Sequence, residues 1–170
     1  MPPSSLFDFS SAPPDDPGEW RNVDDPVMGG VSESAFVAAD DHAVFTGTVS
    51  LDHGGGFASV RAPEDSYDLG DHEGLRLRLR GDDKHYWFTA YTEAGRSISY
   101  RTRLAPPTEW TTLEVPFNTL TPYRRGTKVS DAPSFAPTQV RTIGFLIADE
   151  QQGPFRLEVA WVRAAAPSSA

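Results

Sequence analysis

Leu75-Arg76-Leu77-Arg78-Leu79-Arg80-Gly81-Asp82-Asp83-Lys84-His85-Tyr86-Trp87-Phe88-Thr89-Ala90-Tyr91 carries the pattern that sets the fold class. Three leucines alternate with three arginines, so one side of the segment is apolar and the other charged. A pleated strand sorts side chains this way, because successive residues point to opposite faces. Gly81-Asp82-Asp83 is a tight-turn signal. From Lys84 the two-residue period resumes. Tyr86, Phe88 and Ala90 fall on one face, and His85, Trp87, Thr89 and Tyr91 on the other. The pattern predicts a β-hairpin over residues 75–91.

The same period extends in both directions. Upstream it marks Leu6–Ser10, Val31–Ala38, Ala43–Leu51 (Phe45, Val49 and Leu51 together) and Phe57–Arg61. Downstream, Ile98–Leu104 sets Ile98, Tyr100 and Leu104 against Ser99, Arg101 and Arg103. Trp110–Val115 groups Thr111, Leu113 and Val115. Arg141–Ala148 is nearly all apolar and is expected at the centre of a sheet. Phe155–Val162 places Phe155, Leu157, Val159 and Trp161 opposite Arg156 and Glu158. No segment keeps a 3.6-residue period for three turns, and 15 Pro and 14 Gly interrupt the chain at short intervals. About ten short strands with regular turns predict an all-β, antiparallel sandwich. Residues 1–163 read as one domain, without internal repeat or linker, and 164–170 as a small, polar, flexible tail.

Charge and composition narrow the function. The chain has 170 residues, with 15 Lys+Arg against 24 Asp+Glu, a net charge of −9. Such a chain repels phosphate backbones and anionic lipid, so nucleic acid is not an expected partner. No apolar run is long enough to insert into a membrane. With no cysteine, disulfides, thiolate metal sites and thiol catalysis are excluded. Met1-Pro2-Pro3-Ser4-Ser5-Leu6 has neither a basic segment nor an apolar signal core, and the acidic start is unlike a mitochondrial transit peptide; a cytoplasmic location is expected.

Catalytic motifs are missing from the sequence: no G-x-S-x-G elbow, no phosphate-binding Walker loop, no H-E-x-x-H. His42, His53, His72 and His85 are scattered and read as solvated. The Asp pairs at 15–16, 24–25, 40–41 and 82–83 read as turn chemistry, although paired carboxylates also serve calcium or glycosidic bonds. The expectation is a non-enzyme without cofactor or metal.

Two glycine-rich segments stand apart. Asp24-Asp25-Pro26-Val27-Met28-Gly29-Gly30-Val31-Ser32 places a rigid turn and two glycines just before a strand. Its amides could form an anion nest, but no helix dipole follows to strengthen one, so a demanding turn is the stronger reading. Gly54-Gly55-Gly56-Phe57-Ala58-Ser59-Val60-Arg61 repeats the theme. Phe57, Ser59 and Arg61 share a face there, opposite Ala58 and Val60. An arginine beside an aromatic ring can grip a carboxylate, phosphate or sugar hydroxyl, or simply pair with an acid of its own chain.

These segments also carry a family resemblance. Trp20-Arg21-Asn22-Val23-Asp24-Asp25-Pro26-Val27-Met28-Gly29-Gly30-Val31-Ser32-Glu33-Ser34 resembles the signature of the complex I intermediate-associated protein 30 family. Further markers follow in order: Phe45–Leu51, Gly55–Arg61, Gly74-Leu75, Arg80-Gly81-Asp82 with Tyr86, Trp110–Phe117, Arg125-Gly126, Ile143-Gly144-Phe145 and Gly153–Glu158. The likeness spans roughly residues 6–163. It implies a jelly-roll sandwich of the galactose-binding type, similar to some carbohydrate-binding modules. It also implies a non-catalytic chaperone for assembly of respiratory complex I (NADH:ubiquinone oxidoreductase), with complex I subunits or intermediates as partners. Carbohydrate or small-ligand binding is the alternative.

The positions carrying the pattern are the candidate binding residues: Asp25, Met28, Gly29, Gly30, Ser32, Phe57, Arg61, Arg80, Asp82 and Tyr86. A scaffold role is the competing reading, in which the glycine turns and the Arg80–Asp82 segment lock strand ends and Arg61 or Arg80 pairs with an acid such as Asp25. Trp87, Tyr91 and Tyr100 are candidate stacking platforms, with Arg61, Arg80, Arg101 and Arg103 as donors. Trp20, Trp110 and Trp161 read as core or edge-sealing residues.

Overall fold

The computed structural model describes residues 5–10, 20–24, 33–49, 58–65, 67, 69–70, 72–93, 98–124, 127–147 and 153–165. Among them, two antiparallel sheets face each other. The six-stranded sheet runs β3 (Glu33–Ala38), β4 (Ala43–Val49), β13 (Gly153–Ala164), β6 (Gly74–Arg80) and β9 (Thr111–Pro116). Its sixth strand, β1 (Ser5–Asp8), pairs with the last part of β13. The seven-stranded sheet runs β11 (Thr127–Lys128), β10 (Thr121–Arg124), β8 (Ile98–Leu104), β7 (Tyr86–Thr92), β12 (Val140–Ile147), β5 (Ala58–Arg61) and β2 (Arg21–Asp24). β12 is interior, as its apolar run requires. The all-β, antiparallel sandwich is the fold.

The alternating patterns become the two inner faces. Leu75, Leu77 and Leu79 of β6, Phe45 of β4, and Phe155, Leu157 and Val159 of β13 are buried against Tyr86 and Phe88 of β7, Tyr100 of β8, and Ile143 and Phe145 of β12. Each such side chain contributes about 1.5–3 kcal/mol by leaving water. Trp20 adds an aromatic cluster, with its ring centroid 4.8 Å from Phe36 and 4.8 Å from Phe7. Trp20 is thus a core residue.

Two sequence expectations fail at this level. Residues 75–91 are not a hairpin: β6 and β7 belong to different sheets, and residues 81–85 carry the chain across the core. Alternation fixes which side a residue takes, not which strand lies beside it. The crossing is shaped at Gly81, whose N–H donates to Pro107 O at 2.8 Å. A Cβ there would lie 2.8 Å from Pro106 Cγ, so any side chain would force its neighbour to shift. The second failure is Trp161. β13 shifts register between Val159 and Trp161, and one extra residue turns the rest of the strand over. Val162 and Ala164 point inward, while Trp161 faces out beneath the Arg163 guanidinium, 3.9 Å from its ring centroid. β13 also continues to the buried Ala164, past the boundary read from sequence, and Ala165 N–H donates to Gly74 O.

Three strands have no counterpart in the sequence reading. β2 lies inside the motif segment, β11 is two residues long, and β10 is a four-residue strand that contains Pro122.

Candidate functional site

Each sheet also has an outer face, and the two differ in chemistry. On the six-stranded sheet, Arg80 and Glu158 are direct neighbours across β6 and β13. Arg80 Nε donates to Glu158 Oε2 at 2.7 Å and Nη2 to Oε1 at 2.7 Å, a bidentate pair. His42 Nε2 sits 2.8 Å from the same Oε1, and His42 Nδ1 lies 2.8 Å from Asp41 Oδ1. Arg156 Nη2 adds a longer contact of 3.4 Å. The Trp110 ring lies 4.8 Å from the Arg80 guanidinium and meets His42 edge-on at 5.2 Å. The hydrogen bonds from Arg80 hold the Glu158 carboxyl down to about 2, with Arg156 assisting and burial opposing.

Just beyond, Asp82 closes the end of the same sheet. It accepts the Tyr86 hydroxyl at 2.9 Å, Arg156 N–H at 2.7 Å and Lys84 N–H at 3.3 Å. Burial first, then the Asp82 charge, raises the Tyr86 phenol above its usual range.

The outer face of the seven-stranded sheet is built differently. The Arg61 guanidinium lies 4.2 Å from the centroid of Tyr91, Arg103 lies 4.8 Å from Trp87, and Arg101 lies 5.3 Å from Tyr123. Trp87 and Tyr123 meet edge-on at 5.6 Å. Ser59, Thr89, Ser99 and Thr142 place small hydroxyl side chains between them. Thr142 Oγ1 donates to Ala62 O at 2.7 Å, and Arg101 Nε donates to Ser99 Oγ at 2.8 Å. Gly144 lies between Arg61 and Thr89 in one cross-strand row. A Cβ there would lie 2.1 Å from Val60 O, so glycine is what lets β5 and β12 approach this closely, and Arg61 reaches across β12 to Tyr91 on β7. Among the described residues, the charged strand positions on this face are Arg21, Arg61, Arg101, Arg103 and Lys128, all cationic.

The candidate residues from the sequence therefore separate. Arg80, Asp82 and Tyr86 come together around β13, each bonded to that strand or to one another. Arg61 stands on the opposite sheet. Arg80 takes Glu158 as its acid. Asp25, Met28, Gly29, Gly30, Ser32 and Phe57 lie outside the described residues. Of the platforms, Trp87 and Tyr91 are on the outer face, but Tyr100 is in the core with its hydroxyl donating to Pro133 O at 2.7 Å. Trp110 stacks on the six-stranded outer face. His42 is half-buried in the ion network and His72 Nδ1 lies 2.6 Å from Ala165 O, so neither is simply solvated. Sequence reading missed Glu158, His42 and Tyr123. The one acid in the apolar run Phe155–Val162 was the available signal for Glu158.

Among the described residues, no group of three or more His, Asp or Glu side chains could hold a metal ion, and no helix is long and apolar enough to cross a membrane.

Comparison with known proteins gives both a family and a fold. The family model described as Complex I intermediate-associated protein 30 matches residues 7–159. No curated protein matches the chain. Among solved structures, the family 11 carbohydrate-binding module of the cellulosomal cellulase Lic26A-Cel5E of Clostridium thermocellum is similar. It is 14% identical, covers 99% of this chain and 97% of that one, and superposes with a TM-score of 0.70. The family 11 module from Clostridium thermocellum in complex with a β-1,3-1,4-mixed-linked tetrasaccharide is 13% identical over 97% of this chain and 96% of that one, also with a TM-score of 0.70. A family 29 carbohydrate-binding module is 12% identical over 96% of this chain and 88% of that one, with a TM-score of 0.53. These likenesses establish the jelly-roll sandwich as the shared architecture.

Proposed function

We propose that the chain, which belongs to the complex I intermediate-associated protein 30 family, is a non-catalytic binding module that assists assembly of respiratory complex I. The family match over residues 7–159 carries this reading. The seven-stranded outer face supplies the contact surface. Arginine and large aromatic residues dominate binding hot spots, and here Trp87, Tyr91 and Tyr123 alternate with Arg61, Arg101 and Arg103. Their joint position favours a partner with carboxylate-rich or aromatic edges. Around β13 of the other sheet, Arg80 of β6, Asp82 of the crossing segment and Tyr86 at the start of β7 act as scaffold, since their polar groups are turned on β13. Affinity capture from native membranes of the host recovers complex I subunits on this reading, and charge reversal at Arg61 and Arg103 reduces that recovery. A deletion strain with normal complex I content and activity would overturn it.

The same face supports a second reading, saccharide binding. Aromatic rings interleaved with hydroxyls are the elements that stack on sugar rings and bond their hydroxyls, and a similar structure holds a mixed-linked tetrasaccharide. Calorimetric titration with β-1,3-1,4-linked oligosaccharides separates the two. Saturable heat that Trp87→Ala abolishes favours sugar; silence across common saccharides removes this reading.

A further inference from the structure

One surface lies away from that face. β3 closes one end of the six-stranded sheet, and among the described residues it pairs with β4 alone. The register is unbroken from Glu33 opposite Thr48 to Ala38 opposite Ala43, and Ala39 N–H donates to His42 O at 2.8 Å. Ala39 and His42 are thus a bonded pair. In an antiparallel ladder bonded pairs recur at every second residue, here at Val37 and Ala35. Phe36 and Ala38 therefore aim their N–H and C=O groups away from β4, toward the open side of the sheet.

Exposed edges are usually blunted by lysine, proline or a bulge. Three other edge strands here follow that rule. β9 carries Glu114 and ends on Pro116, β2 carries Arg21, and β11 is two residues long with Lys128. β3 carries a charge only at its first residue, Glu33, at the end away from Asp40 and Asp41. Ser34-Ala35-Phe36-Val37-Ala38-Ala39 holds no charge and no proline. Among the described residues, Val37 is the large apolar side chain left exposed, at 48%. Asp40 and Asp41, both exposed, stand at the end of this edge.

We propose that β3 is a strand-addition edge that takes an extended apolar segment of another protein, with basic residues at the end that meets Asp40 and Asp41. This goes beyond the assembly reading, because it fixes where and in what backbone form a segment docks, whichever complex supplies it. Backbone bonds to Phe36 and Ala38 would give affinity, and the side chain laid beside Val37 would give selectivity. A second copy is the poorer occupant. It would bring its own Asp40 and Asp41 and a further charge of −9. A six-residue edge also covers only roughly a few hundred Å2, short of the about 1,200 Å2 of a stable dimer.

The probe is a fluorescent synthetic peptide of alternating valine and threonine with lysines at both ends, titrated by anisotropy against the whole chain. Saturable binding is expected, weakened about tenfold by Ala38→Pro, which removes an outward amide but no β3–β4 bond. Val37→Thr weakens it severalfold, and added salt weakens it further. The same peptide N-methylated at alternate amides does not bind the wild-type chain, an arm that decides the matter if Ala38→Pro fails to fold. Absence of saturable binding overturns the proposal. So does equal binding by the methylated peptide, or by an Ala38→Pro variant of unchanged melting temperature. Sedimentation showing a dimer that Val37→Lys dissolves would also overturn it, in favour of self-pairing.

Discussion

Arg80 and Arg61 stand on opposite outer faces of the sandwich, and they differ in what lies across the strand from each. Arg80 faces Glu158 and is drawn into a bidentate pair that also engages His42. Arg61 faces Gly144 on one side and Arg21 on the other, and it lies over Tyr91. The residue type is the same and the neighbours decide its work: one arginine ties strands together, the other stays half-exposed on a cationic, ring-lined surface. Position in the ladder, not arginine content, separates scaffold from contact surface.

That contrast can be broken by measurement. The largest effect is expected from Glu158→Ala, which strands Arg80 and His42 beside a missing anion. Loss of about 2 kcal/mol, or roughly 4–8 °C in Tm, is expected by calorimetry. Arg80 is 34% exposed, which keeps the figure below that of a fully buried pair. A loss of similar size on Arg61→Ala would erase the distinction between the faces.

Acid sharpens the same comparison. The Glu158 carboxyl is held at about 2 in the fold, against 4.5 in the free side chain. A lowered folded value means that the stabilisation is complete above about 4.5 and fades as pH falls toward 2. Urea denaturation of wild type and Glu158→Gln should therefore differ most near neutrality, with the gap narrowing across that window. A gap independent of pH would show that charge is not what Glu158 contributes.

Gly81→Ala comes next. Its new Cβ would press on Pro106 Cγ at 2.8 Å where the chain crosses between sheets, and about 1 kcal/mol of destabilisation is expected in denaturant titrations. Smallest is the effect of Arg61→Ala on stability, within about 0.5 kcal/mol. The same variant should nonetheless bind less complex I material in affinity capture, and unchanged recovery would remove Arg61 from the contact surface.

Much of the fold was legible from the sequence because pleating writes sidedness into every second residue. Leu75, Leu77 and Leu79 point inward as their spacing requires, and Ser59 and Arg61 point outward. Partnership is not written locally. β6 and β7 look like a hairpin because Gly81-Asp82-Asp83 is turn chemistry, yet β6 pairs with β9 and β13 and β7 with β8 and β12. Trp161 was misplaced because a single added residue reverses parity without altering composition. Glu158 escaped notice because its partners Arg80 and His42 are 78 and 116 residues away. On the seven-stranded outer face, Trp87 and Tyr91 were legible from alternation, while the reach of Arg61 across β12 to Tyr91 is visible only once three strands are side by side.

The pairing of β1 with β13 has a consequence for engineering. Ser5 lies beside Arg163, its neighbour across the ladder, so the two ends of the folded unit adjoin on one rim, about 5 Å apart. A host polypeptide could run into the sandwich and out again almost where it began. The unit can therefore be spliced into a surface loop of an unrelated protein, or its ends tied and a new opening cut elsewhere, without stretching either sheet.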